Sequence, residues 1–247
     1  MGEDCDDTNS LVWSLNSCGK CALEPESQHW NINDLEQFHS QSPSQLLSDM
    51  LEAAKEVAPD LLITTRPGKG GGTLYYCSKV SIGNTQSLVD GTLTMSFELS
   101  HVINTKIKDK LLEDVISGSI NKNNFLDVIA DLEVEGYILS NEIRHDYANN
   151  LSLCEKEGLS RQPVGSQKYP SMSLQDIKNA MRNDGTLNQL KSHLKNGGFK
   201  SVRTGENIFD KHSRNYDELI IKIGNLRKSG IDNLMIKEEI KKQHGCQ

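Results

Sequence analysis

The sequence predicts an α+β protein, and three observations lead to that prediction. Residues 60–83 hold two stretches of β-branched and aromatic residues on either side of a glycine-rich turn at 68–72, which indicates a β-hairpin or small sheet. Amphipathic helical periodicity is clear before this segment, at 44–58, and after it, at 123–148. The last third of the chain shows only short helical patterns. We therefore expect a mixed domain followed by an all-α region.

Composition divides the chain into three parts. Residues 1–43 are polar and contain few apolar stretches, which predicts a poorly ordered leader. Residues 44–160 contain the predicted strands and the longest predicted helices. A linker that contains Gly, Pro and Ser leads into residues 161–247. The charge and the short helical patterns of these residues predict a basic helical C-terminal region.

The net charge of −7 is unevenly distributed along the 247 residues. Residues 1–160 contain 11 Lys and Arg against 25 Asp and Glu, whereas residues 161–247 contain 16 against 9. The acidic part should repel nucleic acid, so no DNA partner is expected. The basic part is predicted to dock on the acidic part, or on an acidic partner, through salt-sensitive contacts.

Hydropathy and cysteine usage bear on the compartment. No apolar run approaches the roughly 20 residues that cross a bilayer, so no transmembrane segment is predicted. The first residues are acidic and lack the apolar core of a Sec signal peptide. Of the six cysteines only Cys18 and Cys21 lie close together, which favours free thiols in a reducing compartment over half a zinc site.

One predicted helix, at about 90–105, carries the sequence Phe-Glu-Leu-Ser-His at 97–101. It differs in one residue from H-E-x-x-H, in which two histidines one helical turn apart bind zinc on the same face. The glutamate after the first histidine can take a proton from metal-bound water. In this chain Glu98 and His101 keep their places, and Phe97 stands where the first histidine would be.

The long predicted helix downstream offers three glutamates, Glu133, Glu135 and Glu142. Glu133 and Gly136 are three residues apart and therefore share a face. A residue as small as glycine would let this helix pack closely against the helix that carries Glu98, while Glu133 reaches inward.

Three segments together resemble a known family. "GGGTLYYCSKVSIG", "LVDGTLTMSFELSHVIN" and "LEVEGYILSNEIR" occur in this order within residues 60–150, and they resemble gluzincin-type metallopeptidases among bacterial effectors and toxins. The resemblance implies a zincin-like fold for 44–160, zinc as cofactor, and a protein or peptide substrate in a host or rival cell. It matches Glu98 with the general base and His101 and Glu133 with zinc ligands.

The same resemblance implies a virulence hydrolase that is made in the bacterial cytoplasm, secreted without a Sec signal peptide, and active in a target cell. Phe97 departs from the family pattern, because a phenyl ring cannot bind zinc. Cys77 and Glu135 are the predicted substitutes for the missing ligand, with His39 and His145 as further candidates.

Three interpretations of the motif stay open at this point. The first is a zincin-like scaffold that has lost catalysis and serves as a protein-binding effector module. The second is a working zinc enzyme with an altered ligand set. The third is accidental resemblance, in which His101 is an ordinary core histidine and Glu98 and Glu133 face solvent.

Overall fold

The computed structural model describes residues 30–41, 44–74, 78–150, 163–201 and 204–243. Within these ranges the protein is mixed α+β, mostly helical, with one three-stranded sheet. The α+β prediction is therefore confirmed, whereas the zincin-like identity stays a prediction. The thiols Cys5, Cys18, Cys21 and Cys77 lie outside the described residues. No helix within the described ranges is long and apolar enough to cross a membrane.

Two helices precede the sheet. Helix α1 (Ile32–Ser40) begins at a capping box, in which Asn31 and Asp34 each accept a backbone N–H from the other. Its Leu35 and Phe38 are buried in the main core, and the Phe38 ring stacks on Tyr147. The prediction of a poorly ordered leader is thus wrong for residues 30–41, because apolar residues at helical spacing give this short segment a face to bury.

Helix α2 (Gln45–Val57) follows as predicted and buries Leu46, Leu47, Met50 and Ala54 on one face. The sheet then consists of β1 (Leu62–Arg66), β2 (Gly71–Leu74) and β3 (Lys79–Gly83). The strand order is β1-β3-β2, with β1 parallel to β3 and β2 antiparallel to β3. The predicted small sheet is therefore confirmed, whereas β1 and β2, on either side of the glycine turn, do not pair with each other as a hairpin.

Three helices form the centre of the molecule. Helix α3 (Leu88–Ile103) is capped by Ser87, whose side chain accepts the backbone N–H of Asp90. Helix α4 (Thr105–Ser117) ends at Gly118, which adopts the left-handed conformation. Helix α5 (Lys122–Asn150) packs along α3. Helix α3 is buried on nearly every side, lying against α2, α5 and the sheet.

The C-terminal region contributes α6 (Leu174–Asn183), α7 (Thr186–Lys195), α8 (Ile208–Lys228) and α9 (Asn233–Gln243). Helices α6 and α7 place Ile177, Met181, Leu187 and Leu194 in the same core as α3 and α5. Helices α8 and α9 form a second core with α4. The region is all-α as predicted, but it completes both cores instead of lying outside the domain as an appendage.

Ion pairs join this basic region to acidic groups of α4 and α5. The pairs are Lys178 and Arg182 with Glu135, Lys191 with Asp127 and Asp131, Lys195 with Asp127, and Lys237 with Asp109 and Glu113. The predicted docking of the basic part on the acidic part is therefore confirmed; its salt sensitivity stays a prediction.

Candidate functional site

A cavity of about 800 Å³ lies where α3, α5, the edge strand β2 and α8 meet. Phe97, Glu98 and His101 of α3 line it together with Glu133 of α5. The structure thus brings together the three residues that the resemblance matched with general base and zinc ligands, and the position that Phe97 occupies. Because β2 and α8 form its remaining walls, the C-terminal region is part of this site.

Glu98 lies between α3 and the edge strand. The Thr73 hydroxyl donates a hydrogen bond of 2.5 Å to its Oε2. Strand β2 comes this close because Gly71 has no side chain: a Cβ there would lie 2.7 Å from Glu98 Cγ and 2.7 Å from Thr94 Cγ2. The glycine-rich stretch is therefore needed for the fit of β2 against α3.

Glu133 is the meeting point of two imidazoles. Its Oε1 lies 3.5 Å from His101 Nε2 and 3.0 Å from His212 Nε2. His212 is on the first turns of α8, so the C-terminal region supplies a second histidine to the site. In a tetrahedral zinc site with bonds of about 2.0–2.1 Å, neighbouring ligand atoms lie roughly 3.3 Å apart, and both separations are close to that value.

Lys108 adds a buried positive charge. It lies on α4, is 7% exposed, and lines the same cavity. Its charge acts on Glu133, on Glu98 and on His101. A lysine in a predicted helix is ordinarily a surface residue, so its residue type alone does not indicate that this side chain faces inward.

Burial sets the protonation of the site. It raises the pKa of Glu98 to about 7, against the hydrogen bond from Thr73, and lowers the pKa of His101 to about 3. It also lowers the pKa of Lys108 to about 8, so that this ammonium is still charged at neutral pH. For Glu133, burial is outweighed by neighbouring groups, which hold its pKa well below the ordinary range. These groups are the imidazoles of His101 and His212 and the Lys108 ammonium.

Phe97 fills the position of the first motif histidine with a ring. It meets the His101 ring edge-on, with the ring centroids 5.0 Å apart. Opposite it lies Gly136, where a Cβ would come within 2.5 Å of Ser100 Oγ and 3.2 Å of the Phe97 ring. The predicted close approach of α5 to α3 at Gly136 is confirmed, and the Phe97 ring packs against Gly136 at this contact.

Of the predicted substitutes for the missing ligand, Glu135, His39 and His145 do not line the cavity. The Glu135 carboxylate points away, toward Lys178 at 2.8 Å and Arg182 at 3.0 Å, and also accepts a hydrogen bond from Asn104. Its assignment as a replacement ligand is wrong, because two residues along a helix reverse the direction of a side chain. His39 lies on α1 beside α2, and neither it nor His145 lines the cavity. Cys77 lies outside the described residues.

His212 and Lys108 were missed, for different reasons. His212 stands 79 residues from Glu133, in "DKHSRN", where no motif marks it. Lys108 is seven residues after His101, two helical turns, and this spacing was the available signal for a shared face. The break between α3 and α4 at Asn104 made that spacing an uncertain guide.

The donor set was tested against the zinc ion that the resemblance implies. Among the described residues, no three His, Cys, Asp or Glu side chains are arranged so that they could hold a metal ion. Phe97 contributes no donor atom, and the Lys108 ammonium is among the groups that act on Glu133. As the side chains stand, the site does not fit zinc.

Comparisons with protein-family models, with curated proteins and with solved structures find no match to this chain. The resemblance to gluzincin-type peptidases therefore depends on the quoted segments and on the placement of Glu98, His101 and Glu133 in one cavity.

Proposed function

We propose that this chain is a secreted bacterial effector or toxin that is built on a zinc-metallopeptidase type of domain and binds a polypeptide without hydrolysing it. The observation that carries the proposal is the Phe97 ring, which stands in the first ligand position and packs against His101. The domain keeps the architecture of a peptide-hydrolase site and lacks one of the donors that such a site needs.

The edge strand supports a polypeptide as the bound partner. Strand β2 is at one end of the strand order, and its residues Gly71, Gly72 and Thr73 line the cavity. An edge strand has unpaired N–H and C=O groups that can hydrogen-bond an extended chain. A polypeptide added there would run past Glu98 and the mouth of the cavity.

Charge compensation supports binding without hydrolysis. In a zinc enzyme the metal ion supplies the positive charge that lowers the pKa of water and stabilises the developing oxyanion. In this chain the imidazoles of His101 and His212 and the Lys108 ammonium already act on Glu133 from within the protein. A bound zinc ion would have to compete with that ammonium for the same carboxylate.

Restoring the missing donor tests the loss of the zinc centre. The variant Phe97→His should gain a zinc site formed by the new imidazole, His101 and Glu133. A ligand that binds only the folded state at about 1,000 times its Kd stabilises it by roughly 4 kcal/mol. Thermal melts with and without zinc should show this gain for Phe97→His and far less for the natural chain. Equal stabilisation of the two proteins by zinc would contradict the proposal that the cavity is a zinc-peptidase type of site that has lost one ligand.

A metal-dependent peptide hydrolase is a second candidate, and His212 favours it. The two imidazoles on Glu133 Oε1 lie at separations close to those between ligands of one zinc ion. In this alternative His212 replaces the histidine lost at position 97, and Glu98 keeps its role as general base. The side chains would have to rearrange from their present positions.

The variant His212→Ala separates the two candidates. If the natural chain gains stability from zinc and His212→Ala does not, the altered ligand set is supported over the binding module. If zinc has little effect on either protein, the second candidate is excluded. His193→Ala serves as the control, because His193 packs on Phe199 and does not line the cavity.

A further inference from the structure

Six lysines of the described C-terminal region lie outside the ion pairs that fasten this region to the domain, whereas Lys178, Lys191, Lys195, Lys237 and Lys241 each form one. The six are Lys168, Lys200, Lys211, Lys222, Lys228 and Lys242. Three of them, Lys200, Lys211 and Lys222, line the cavity. Half of the lysines that form no ion pair therefore lie at the candidate site.

Helix geometry explains how α8 presents two of them. Lys211, Asn215, Leu219 and Lys222 lie at spacings of four, four and three residues, which places them on one face of the helix, and all four line the cavity. Lys200 joins them from the segment before α8, which is tied to the start of α8 by an isolated bridge between Lys200 and Asn207. Lys200 and Lys211 are exposed, so their ammonium groups are accessible from solvent.

The carboxylates around the cavity do not neutralise all of the positive charge of these lysines. Glu133 lies on the floor between the imidazoles of His101 and His212, and Glu98 accepts a hydrogen bond from Thr73. Glu218 at the rim shares Arg214 with Glu206, and Glu239 of α9 acts on Lys222. Lys200, Lys211, Lys222 and Arg214 outnumber these three carboxylates, so the α8 side of the mouth is positive.

The remaining wall is apolar. Phe125, Ile129, Leu132, Tyr137, Phe199 and Leu219 contribute to it. An occupant that complements both surfaces has apolar side chains for this wall and negative charge for the lysines. A polypeptide segment that alternates apolar and acidic residues has both, whereas a nucleic acid has the charge without the aliphatic side chains.

We propose that the cavity selects polypeptide segments that carry Asp or Glu next to apolar residues, and that Lys200, Lys211 and Lys222 are the residues that determine this selectivity. The inference depends on the proposed polypeptide-binding function and adds the chemical class of the partner. In this arrangement the segment lies along β2 and turns its acidic side chains toward α8.

Binding to an array of random ten-residue peptides with net charges from about −4 to +4 tests the inference on the full chain. The signal should rise with negative charge. The triple variant Lys200→Gln/Lys211→Gln/Lys222→Gln should bind the best acidic peptide about tenfold more weakly, because three partly exposed charge contacts are lost. The control Lys106→Gln/Lys228→Gln/Lys242→Gln removes three exposed lysines that do not line the cavity, and it should bind like the natural chain.

The outcomes separate the two proposals. Peptide binding that does not depend on charge, or that falls equally in both triple variants, would overturn the selectivity and leave the polypeptide-binding function standing. Binding to no peptide would contradict the polypeptide-binding function itself. A single-stranded oligonucleotide that displaces the best acidic peptide and depends on the same lysines would assign the surface to nucleic acid and overturn the inference.

Discussion

Glu133 and Glu135 are two buried carboxylates on one helix, two residues apart, with opposite surroundings. Glu135 is enclosed by Lys178, Arg182 and Asn104, and it fastens α6 to the domain. Glu133 faces a cavity, and its neighbours are two imidazoles and the buried Lys108. The first arrangement uses its charges to join elements of the fold, whereas the second holds titratable groups beside an open space. The comparison teaches that burial of a charged group does not by itself identify a functional site; the adjoining cavity does.

The largest expected effect is a difference in the free energy of unfolding between variants of these two carboxylates. Glu135→Gln should lower the free energy of unfolding by about 3 kcal/mol, because the Lys178 ammonium loses its charged partner and keeps the Asn104 Oδ1 acceptor. Glu133→Gln should cost less, since Lys108 borders the cavity and can lose its proton. Chemical denaturation of both variants at neutral pH measures the difference. A larger loss for Glu133→Gln would mean that the cavity cluster is the structural one.

The next effect concerns Glu98, whose pKa is raised because burial disfavours the ionised carboxylate. Its folded pKa of about 7 exceeds the unfolded value of 4.5, so the protonated group favours folding below about pH 4.5 and this contribution is lost as the pH rises through 7. Glu98→Gln should therefore stabilise the protein at pH 8 by about 3 kcal/mol and change little near pH 4.

Unfolding curves of Glu98→Gln and the natural chain across this pH range provide the measurement for that effect. A stability difference that is constant with pH would show that Glu98 ionises normally in the folded protein. The cavity would then not hold a carboxyl with a raised pKa, and the proposed difference between the cavity and the surroundings of Glu135 would be smaller.

A smaller effect tests the close approach of α5 to α3. Gly136→Ala should destabilise the fold by about 1–2 kcal/mol, because the new Cβ would press on Ser100 and the Phe97 ring. Gly224→Ala is the matched control in another helix: nothing lies within 4 Å of its Cβ, so the higher helix propensity of alanine should stabilise by about 0.5–1 kcal/mol. Equal effects at the two positions would indicate a looser contact between α3 and α5.

The smallest effect concerns the docking of the basic region. Lys191 is paired with Asp127 at 3.1 Å and Asp131 at 2.7 Å, and Lys191→Gln should cost about 1 kcal/mol at low salt. In about 1 M NaCl, where the screening length falls to roughly 3 Å, the cost should shrink. Lys110→Gln, which removes an exposed pair within α4, is the control for a charge change that does not involve docking. A cost that is unchanged by salt would contradict ionic docking.

Much of the fold could be predicted from local patterns. The apolar spacings placed α2, α3 and α5 within a few residues, because these signals depend on neighbours in the sequence. The strand pairing was not predicted correctly, since the position of β3 between β1 and β2 depends on packing against α3. The 30–41 helix was missed because its apolar face is only two residues wide in the core.

The residues of the candidate site likewise fall into those that local patterns predict and those whose position depends on tertiary packing. Glu98 and His101 were predicted because one motif relates them on one helix, and Glu133 because of the family resemblance and the face that it shares with Gly136. His212 and Lys108 were not, since their place in the cavity depends on how α4 and α8 pack, which no local pattern encodes. Glu135 was misassigned because the choice between adjacent glutamates depends on the rotation of α5, and Gly136 fixes that rotation.

Metal content tests the central claim most directly. The claim is that this cavity is a zinc-peptidase type of site whose zinc centre is lost because Phe97 occupies one ligand position. Both the natural chain and Phe97→His are purified from cells grown with zinc, and bound zinc is measured by elemental analysis. The account predicts about one zinc per chain for Phe97→His and far less for the natural chain. Stoichiometric zinc in the natural chain, or none in Phe97→His, would contradict it.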